Sequence, residues 1–299
     1  MKNDSTRRQF LKASVVAACA GSLPAPLAAE PAPPPTGKLI IGVVWGMLPE
    51  KLSIADRFKL AADAGFQAVE AYTTEDAKAA EEIKKAAEDA KVRITSVMNQ
   101  AHWKFPLSSG DPAAVKKGMD GMRTSLHNAQ LWGADAVLLV PAVVDAQTSY
   151  QDAYTRSQTH IRELLPLAQE LKVRIALEEV WNKFLLSPLE FRSYIDEFKS
   201  PWVKAYFDVG NVLLFGYPQD WIRTLGKRIV KIHLKDFKRE RNSYQWVNLG
   251  EGDVDWAEVR RALGEIGYAG TVSAELEAGD LAYLSDVRKR IDRLVSGIQ

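Results

Sequence analysis

From Lys38 onward, short apolar runs suited to strands alternate with capped, amphipathic segments suited to helices. The alternation recurs about eight times, in units of about 25 to 42 residues. The strand-like runs fall near residues 39–44, 68–71, 92–98, 136–140, 173–178, 204–208, 228–234 and 271–275. The helices between them carry their own start and stop signals. An apolar face through Ile54, Phe58, Leu60 and Ala61 closes at Gly65, and an Ala/Glu/Lys segment runs from about residue 75 to 90. Asp111-Pro112 opens a helix that Gly133 ends, and a long helix spans about residues 149–171. Ser187-Pro188, Pro218, Val254-Asp255-Trp256 and Asp280 open the rest. With no hairpin-rich section and no second core, the pattern predicts a single α/β domain over residues 38–299, a closed (β/α)8 barrel rather than an open sheet.

Four of these runs end on a side chain that packing alone does not explain. Residues 174–178 end on Glu178, residues 204–208 on Asp208, residues 229–233 on His233 and residues 271–275 on Glu275. A carboxylate buried without a partner is strongly disfavoured, and one divalent cation would satisfy all four residues together. The C-terminal strand ends are also where barrel enzymes keep their chemistry. Oxygen ligands with one imidazole suit Mn2+ or Mg2+ and also admit Co2+ or Zn2+. Such an ion polarises a carbonyl while one glutamate removes a proton from the adjacent carbon and the other returns one to the opposite face.

Other residues near these tips are more ambiguous. His102-Trp103 follows the third strand, where it either contacts a sugar or packs as a loop pair, and Trp45 after the first strand has the same status. Lys235 and Asp236 either bind substrate or form a local ion pair. Period-2 alternation turns Glu179 away from the axis if Glu178 is at the tip, and Glu277 replaces Glu275 if the last strand ends two residues later. His127 and His160 lie within predicted helices, as surface or packing residues.

The ordered set Ala176-Leu177-Glu178, Phe207-Asp208-Val209-Gly210-Asn211, Ile232-His233-Leu234-Lys235-Asp236 and Ser273-Ala274-Glu275 resembles the sugar phosphate isomerase/epimerase family, from about residue 39 to the C-terminus. The resemblance implies a xylose-isomerase-like TIM barrel. It also implies Glu178, Asp208, His233 and Glu275 as metal ligands, with Glu178 and Glu275 as the acid/base pair. Arg239, six residues after His233, matches an arginine with which ketose epimerases orient substrate. Asn211 stands where those epimerases commonly have a substrate-binding histidine, and Leu185 stands where they have a glutamate after an Asn-x-Phe segment, here Asn182-Lys183-Phe184. The implied activity is a metal-dependent sugar isomerase or epimerase. A lyase that eliminates the group β to a keto carbon in 3-keto-glycosides is the runner-up, and an exported sugar-binding protein is the non-catalytic alternative. A phosphodiesterase on the same barrel needs several more histidines than His102 and His233. Carboxylates of the eighth loop, Glu277 and Asp280, favour an unphosphorylated keto sugar or keto-glycoside as substrate, whereas Lys235, Lys238, Arg239 and Arg241 of the seventh pull the other way.

Charge is asymmetric along the chain. Lys2, Arg7, Arg8 and Lys12 face only Asp4 in the first 29 residues, and without these the remainder holds 35 basic and 37 acidic residues. That nearly neutral body argues against general nucleic-acid binding. Ser5-Thr6-Arg7-Arg8-Gln9-Phe10-Leu11-Lys12, followed by an alanine-rich apolar run and Ala28-Ala29, resembles a twin-arginine export signal over residues 1–29, with a proline-rich linker over residues 30–37. The run is too short and weakly hydrophobic for a stable membrane span. The signal implies the twin-arginine machinery as a partner and a periplasmic or otherwise exported location, lipidation at Cys19 being a minor alternative. Changing Arg7 and Arg8 together to Lys is expected to hold a reporter fusion in the cytoplasm; undiminished periplasmic reporter shows that the pair is not an export signal.

Overall fold

The apolar runs form strands β1 (Ile40–Val44), β2 (Ala68–Tyr72), β3 (Arg93–Met98), β4 (Ala136–Leu139), β5 (Arg174–Glu178), β6 (Val203–Asp208), β7 (Ile229–Leu234), β8 (Asp236–Arg239), β9 (Tyr244–Val247) and β10 (Thr271–Ala274) in a computed structural model that describes residues 38–241 and 243–297. Eight of them close into a parallel barrel in the order β1-β10-β7-β6-β5-β4-β3-β2, the architecture expected from the alternation. The proposed export segment and linker lie outside the described residues. Helices α1 (Ile54–Asp63), α2 (Ala77–Ala90), α3 (Pro112–Trp132), α4 (Tyr150–Leu171), α5 (Pro188–Asp196), α6 (Pro218–Leu225), α7 (Trp256–Glu265) and α8 (Leu281–Ile291) connect the strands. No helix among the described residues is long and apolar enough to cross a membrane.

The helix starts follow from capping chemistry. The Asp111 side chain accepts the Ala113 N–H with Pro112 at the first turn of α3, and Ser149, Ser187, Asp255 and Asp280 each accept an N–H three residues on. Strand register then sets the functional end. Asp208 on β6 and Ser273 on β10 both pair with His233 on β7, and Glu178 on β5 pairs with Tyr206 on β6. Parallel pairing thus carries the four tip residues to one rim of the barrel.

One element departs from the expected pattern. The seventh loop contains an antiparallel hairpin, β8 with β9, in the register Asp236↔Val247, Phe237↔Trp246 and Arg239↔Tyr244. Its strands are four residues long and mixed in polarity, so they carry neither a clean period of two nor an apolar run. Asp236, buried at the base, resolves one of the open readings. Its Oδ1 accepts the Phe237 and Val254 N–H groups (2.9 and 3.3 Å), and its Oδ2 accepts the Gly250 N–H and Trp256 Nε1–H (2.8 and 2.9 Å). Asp236 is therefore a clasp between the hairpin and the start of α7, not a substrate ligand. Gly252 permits it, since a Cβ there would run into the Asp236 carboxylate.

Asp236→Ala leaves these donors without their acceptor, at an expected cost of at least about 3 kcal/mol. Thermal melts should fall by roughly 6–12 °C for a domain of this size. A melting temperature within about 2 °C of the wild type would show that the clasp contributes little.

Candidate metal centre

Glu178, Asp208, His233 and Glu275 converge at the C-terminal rim, and one ligand atom from each lies within 4.8 Å of every other. His233 Nδ1 sits 3.0 Å from Glu178 Oε1, 2.8 Å from Glu275 Oε2 and 3.9 Å from Asp208 Oδ2. Asp208 Oδ1 accepts the backbone N–H groups of Gly210 and Asn211, both at 2.8 Å, which holds the carboxylate in place. Its other oxygen, Oδ2, is buried with no hydrogen-bond partner among the described residues, and Glu275 Oε2 makes none of good geometry. Carboxylate oxygens converging on one point without aligned hydrogen bonds, with an imidazole nitrogen among them, form a donor set that fits a divalent cation. Such an ion would sit between Glu178, Asp208, His233 and Glu275.

A fifth carboxylate escapes sequence reasoning. Glu70, buried in the middle of β2, accepts from His233 Nε2 at 2.9 Å, and Ser96 Oγ–H donates to its other oxygen at 2.6 Å. Metal-ligating histidines characteristically turn the second ring nitrogen to a carboxylate, which fixes the tautomer and the ring plane. The available signal was a single acid within the apolar run Ala68-Val69-Glu70-Ala71.

The electrostatics follow from crowding in a dry place. Burial pushes the Glu178 carboxyl up to about 7 despite His233 beside it. Burial also acts to raise Glu275, but the charges of His233 and Lys235 outweigh it and hold Glu275 well below the usual carboxylate range. Burial would discharge His233, yet Tyr206, Glu275, Glu70 and Glu178 together hold its pKa well above the ordinary value. The positive charge they favour on the ring is the charge a bound cation would supply from the Nδ1 side. Glu179 stays outside the quartet; burial, with Asp208 and Glu178 nearby, holds its carboxyl well above the usual carboxylate range.

Lys235 belongs to the centre. Its Nζ lies 2.8 Å from Glu275 Oε2 and 3.4 Å from Asp208 Oδ2, and its ammonium stands over the Trp246 ring at 5.3 Å. The other open cases divide. His102 is buried, kept neutral by burial with a pKa lowered to about 4, and its Nδ1 accepts the Val140 N–H. It lines the cavity above the quartet together with Trp103, Asn211, Lys235, Glu178 and Glu275, a space of about 220 Å3. Asn211 donates its side-chain N–H to the Glu179 carbonyl, and its own carbonyl accepts the Trp181 indole N–H. Arg239, by contrast, is outside this cavity. Hairpin pairing carries it to the far end of β8, where its side chain is exposed and its backbone N–H binds Asp253. Leu185 is fully buried. Trp45 packs on Phe58 of α1, and Glu277 is exposed two residues past Glu275. His127 is exposed and His160 pairs with Glu163 on α4.

Two aromatic residues missed from sequence complete the wall. Trp181 stacks on Trp246 at 4.9 Å between ring centres, which fixes the hairpin against the loop that follows β5. Gly210 makes this approach possible, because a Cβ there would meet Lys235 Cβ at 2.6 Å and the Trp246 ring at 2.9 Å. A cavity of about 770 Å3 lies among Arg93, Asp135 and Lys231 at the opposite ends of the strands, away from the quartet.

The closed parallel barrel and its rim quartet point to one family of barrels. The chain belongs to the xylose isomerase-like TIM barrel family, whose family model matches residues 58–294. An L-ribulose-5-phosphate 3-epimerase of Salmonella paratyphi A is 27% identical over 247 residues, covering 79% of this chain and 86% of that protein. Among solved structures, the IolI protein with a bound zinc atom superposes with a TM-score of 0.74 at 16% identity, over 87% of this chain and 99% of its own. The 3-keto-D-glucoside 4-epimerase YcjR of Escherichia coli superposes with a TM-score of 0.72 at 15% identity, over 86% and 100%. These two likenesses show the fold.

Asp208→Ala and His233→Ala are each expected to lose most bound metal after loading with Mn2+, as read by elemental analysis. Glu70→Ala is expected to weaken metal binding by about 10- to 100-fold. Near-native metal content in both Asp208→Ala and His233→Ala would remove the quartet as the binding site.

Proposed function

We propose that the protein is a divalent-metal-dependent sugar isomerase or epimerase that transfers a proton beside a carbonyl. The observation that carries this reading is geometric. Glu178 and Glu275, from strands separated by β6 and β7, reach the same imidazole nitrogen from two sides, at 3.0 and 2.8 Å, at the edge of a cavity. A sugar lying across that edge presents one carbon to two carboxylates, so one removes its proton and the other returns a proton to the opposite face. The sugar-epimerase relatives support the same chemistry.

A bound divalent ion supplies Lewis-acid polarisation of the substrate carbonyl, and the mixed oxygen and nitrogen donor set favours Mn2+ while admitting Mg2+, Co2+ or Zn2+. The chain's own residues do the rest. His233 and Lys235 keep Glu275 ionised and ready to accept a proton, whereas Glu178, less acidic, is suited to hold one. His102, neutral and apolar-walled by Leu138 and Val140, bounds the cavity and limits water beside the reacting carbon. Export through the twin-arginine route belongs to this proposal and rests on the sequence of residues 1–29: Arg7-Arg8, Phe10-Leu11-Lys12, the alanine-rich run and Ala28-Ala29.

The Mn2+-loaded protein should exchange deuterium from heavy water into the carbon beside the carbonyl of a ketose or keto-glycoside. Glu178→Gln and Glu275→Gln should each lower kcat about 10^2- to 10^4-fold, the usual worth of a general acid or base. Glu178→Gln should retain measurable metal. Exchange that persists at wild-type rate in both variants would sink the assignment, and release of an aglycone would identify β-elimination instead.

A further inference from the structure

The mouth of the barrel has two lobes, and only the inner one is needed for proton transfer. The outer lobe, about 520 Å3, opens beside it and shares Lys235, Trp246 and Glu275 with the inner lobe of about 220 Å3. Small-molecule sites commonly run from about 300 to 1,000 Å3, so the inner lobe is sized for one small ring and leaves the outer lobe unfilled. Three groups give the outer lobe its chemistry. Trp246 is 44% exposed yet held rigid by Trp181 and Phe237, and therefore presents an aromatic face at little entropic cost. Asn248 uses its Oδ1 to accept the Leu249 N–H, and its Nδ2 has no partner among the described residues. Tyr283 brings a ring and a hydroxyl from the first turn of α8.

Phosphate does not suit this lobe. Glu275 and Glu277 line it, and its lone cation, Lys235, already bridges Glu275 and Asp208. The N-terminus of α8, where barrels of this kind often hold phosphate, is occupied by the chain's own anion: Asp280 Oδ1 accepts the Tyr283 N–H at 3.0 Å. Lys238 and Arg239 are exposed on the hairpin and line neither lobe.

We infer that the outer lobe is a subsite for a second, neutral sugar ring, stacked on Trp246 and hydrogen-bonded by Asn248 and Tyr283, so that the substrate is a glycoside rather than a phosphorylated ketose. The inference rests on the inner lobe being a sugar site. Its test reads binding separately from turnover. Mn2+-loaded protein is titrated calorimetrically with glucose, glucose 6-phosphate and the glucose disaccharides of each linkage, none of which needs to react. At least one disaccharide should bind about tenfold more tightly than glucose, equivalent to about 1.4 kcal/mol, and glucose 6-phosphate no more tightly than glucose. Asn248→Ala and Tyr283→Ala, each checked for an unchanged melt, should bring the disaccharide-to-glucose ratio towards one. Equal affinities for glucose and every disaccharide, tightest binding by the phosphorylated sugar, or a ratio unmoved in both variants would each overturn the subsite. Deuterium exchange into free ketoses alongside any of those results would leave the epimerase reading standing, whereas disaccharide preference without exchange would uphold the subsite and remove the catalytic reading.

Discussion

His233 is fully buried between Glu70 on one side of its ring and Glu178 and Glu275 on the other, and the rim of the barrel is arranged around that crowding. A carboxylate in this position is unstable unless opposite charge lies within a few ångströms. The imidazole and the Lys235 ammonium supply part of it, and the remainder is what a divalent cation would contribute. The neighbouring choices are consistent with this demand: two backbone N–H groups fix Asp208, Ser96 supports Glu70, and Trp246 bears against the Lys235 stem and charge. Strand pairing in register is what lets residues far apart in sequence meet here without a single loop having to be threaded.

Much of this is legible in the amino-acid sequence itself. A closed parallel sheet buries both faces of its strands, so the strands read as continuous apolar runs, and an acid or histidine at the end of such a run stands out. Glu178, Asp208, His233 and Glu275 were visible for that reason, and the helix boundaries were visible because caps such as Asp111 and Ser187 act locally. Glu70 was not, because a carboxylate inside a strand has no positional signature until the partner it faces is known. The hairpin was hidden by its composition, since Lys238, Arg239, Glu240 and Arg241 read as a solvated loop while Phe237, Tyr244 and Trp246 find their packing partner, Trp181, some sixty residues away in sequence. The choice between substrate contact and structural role for Asp236 likewise depended on the N–H groups of Gly250, Val254 and Trp256, which lie 14, 18 and 20 residues further along the chain.

The two sides of the substrate question meet in loop chemistry rather than in the barrel. A relative is named for a phosphorylated ketose and a structural neighbour for a keto-glucoside. A mouth suited to a phosphate offers unpaired cations and free helix N–H groups, and one suited to a neutral ring offers flat aromatic faces and neutral amides. In this chain Asp280 and Glu277 fill the first role's place with negative charge, and Trp246 supplies the second.

Lys235 and Asp236 are joined by one peptide bond yet serve different masters: the first faces the quartet, and the second ties the hairpin to α7 through contacts that involve none of the four ligands. The seventh loop is therefore fastened at its base independently of the reacting centre. Its outer turn, near Glu240 and Ser243, is exposed and free to lengthen, shorten or change composition while the base stays put. Asp236 thereby insulates the rim from the hairpin's outer end: a change near Glu240 or Ser243 is absorbed at the base before it reaches the four ligand side chains.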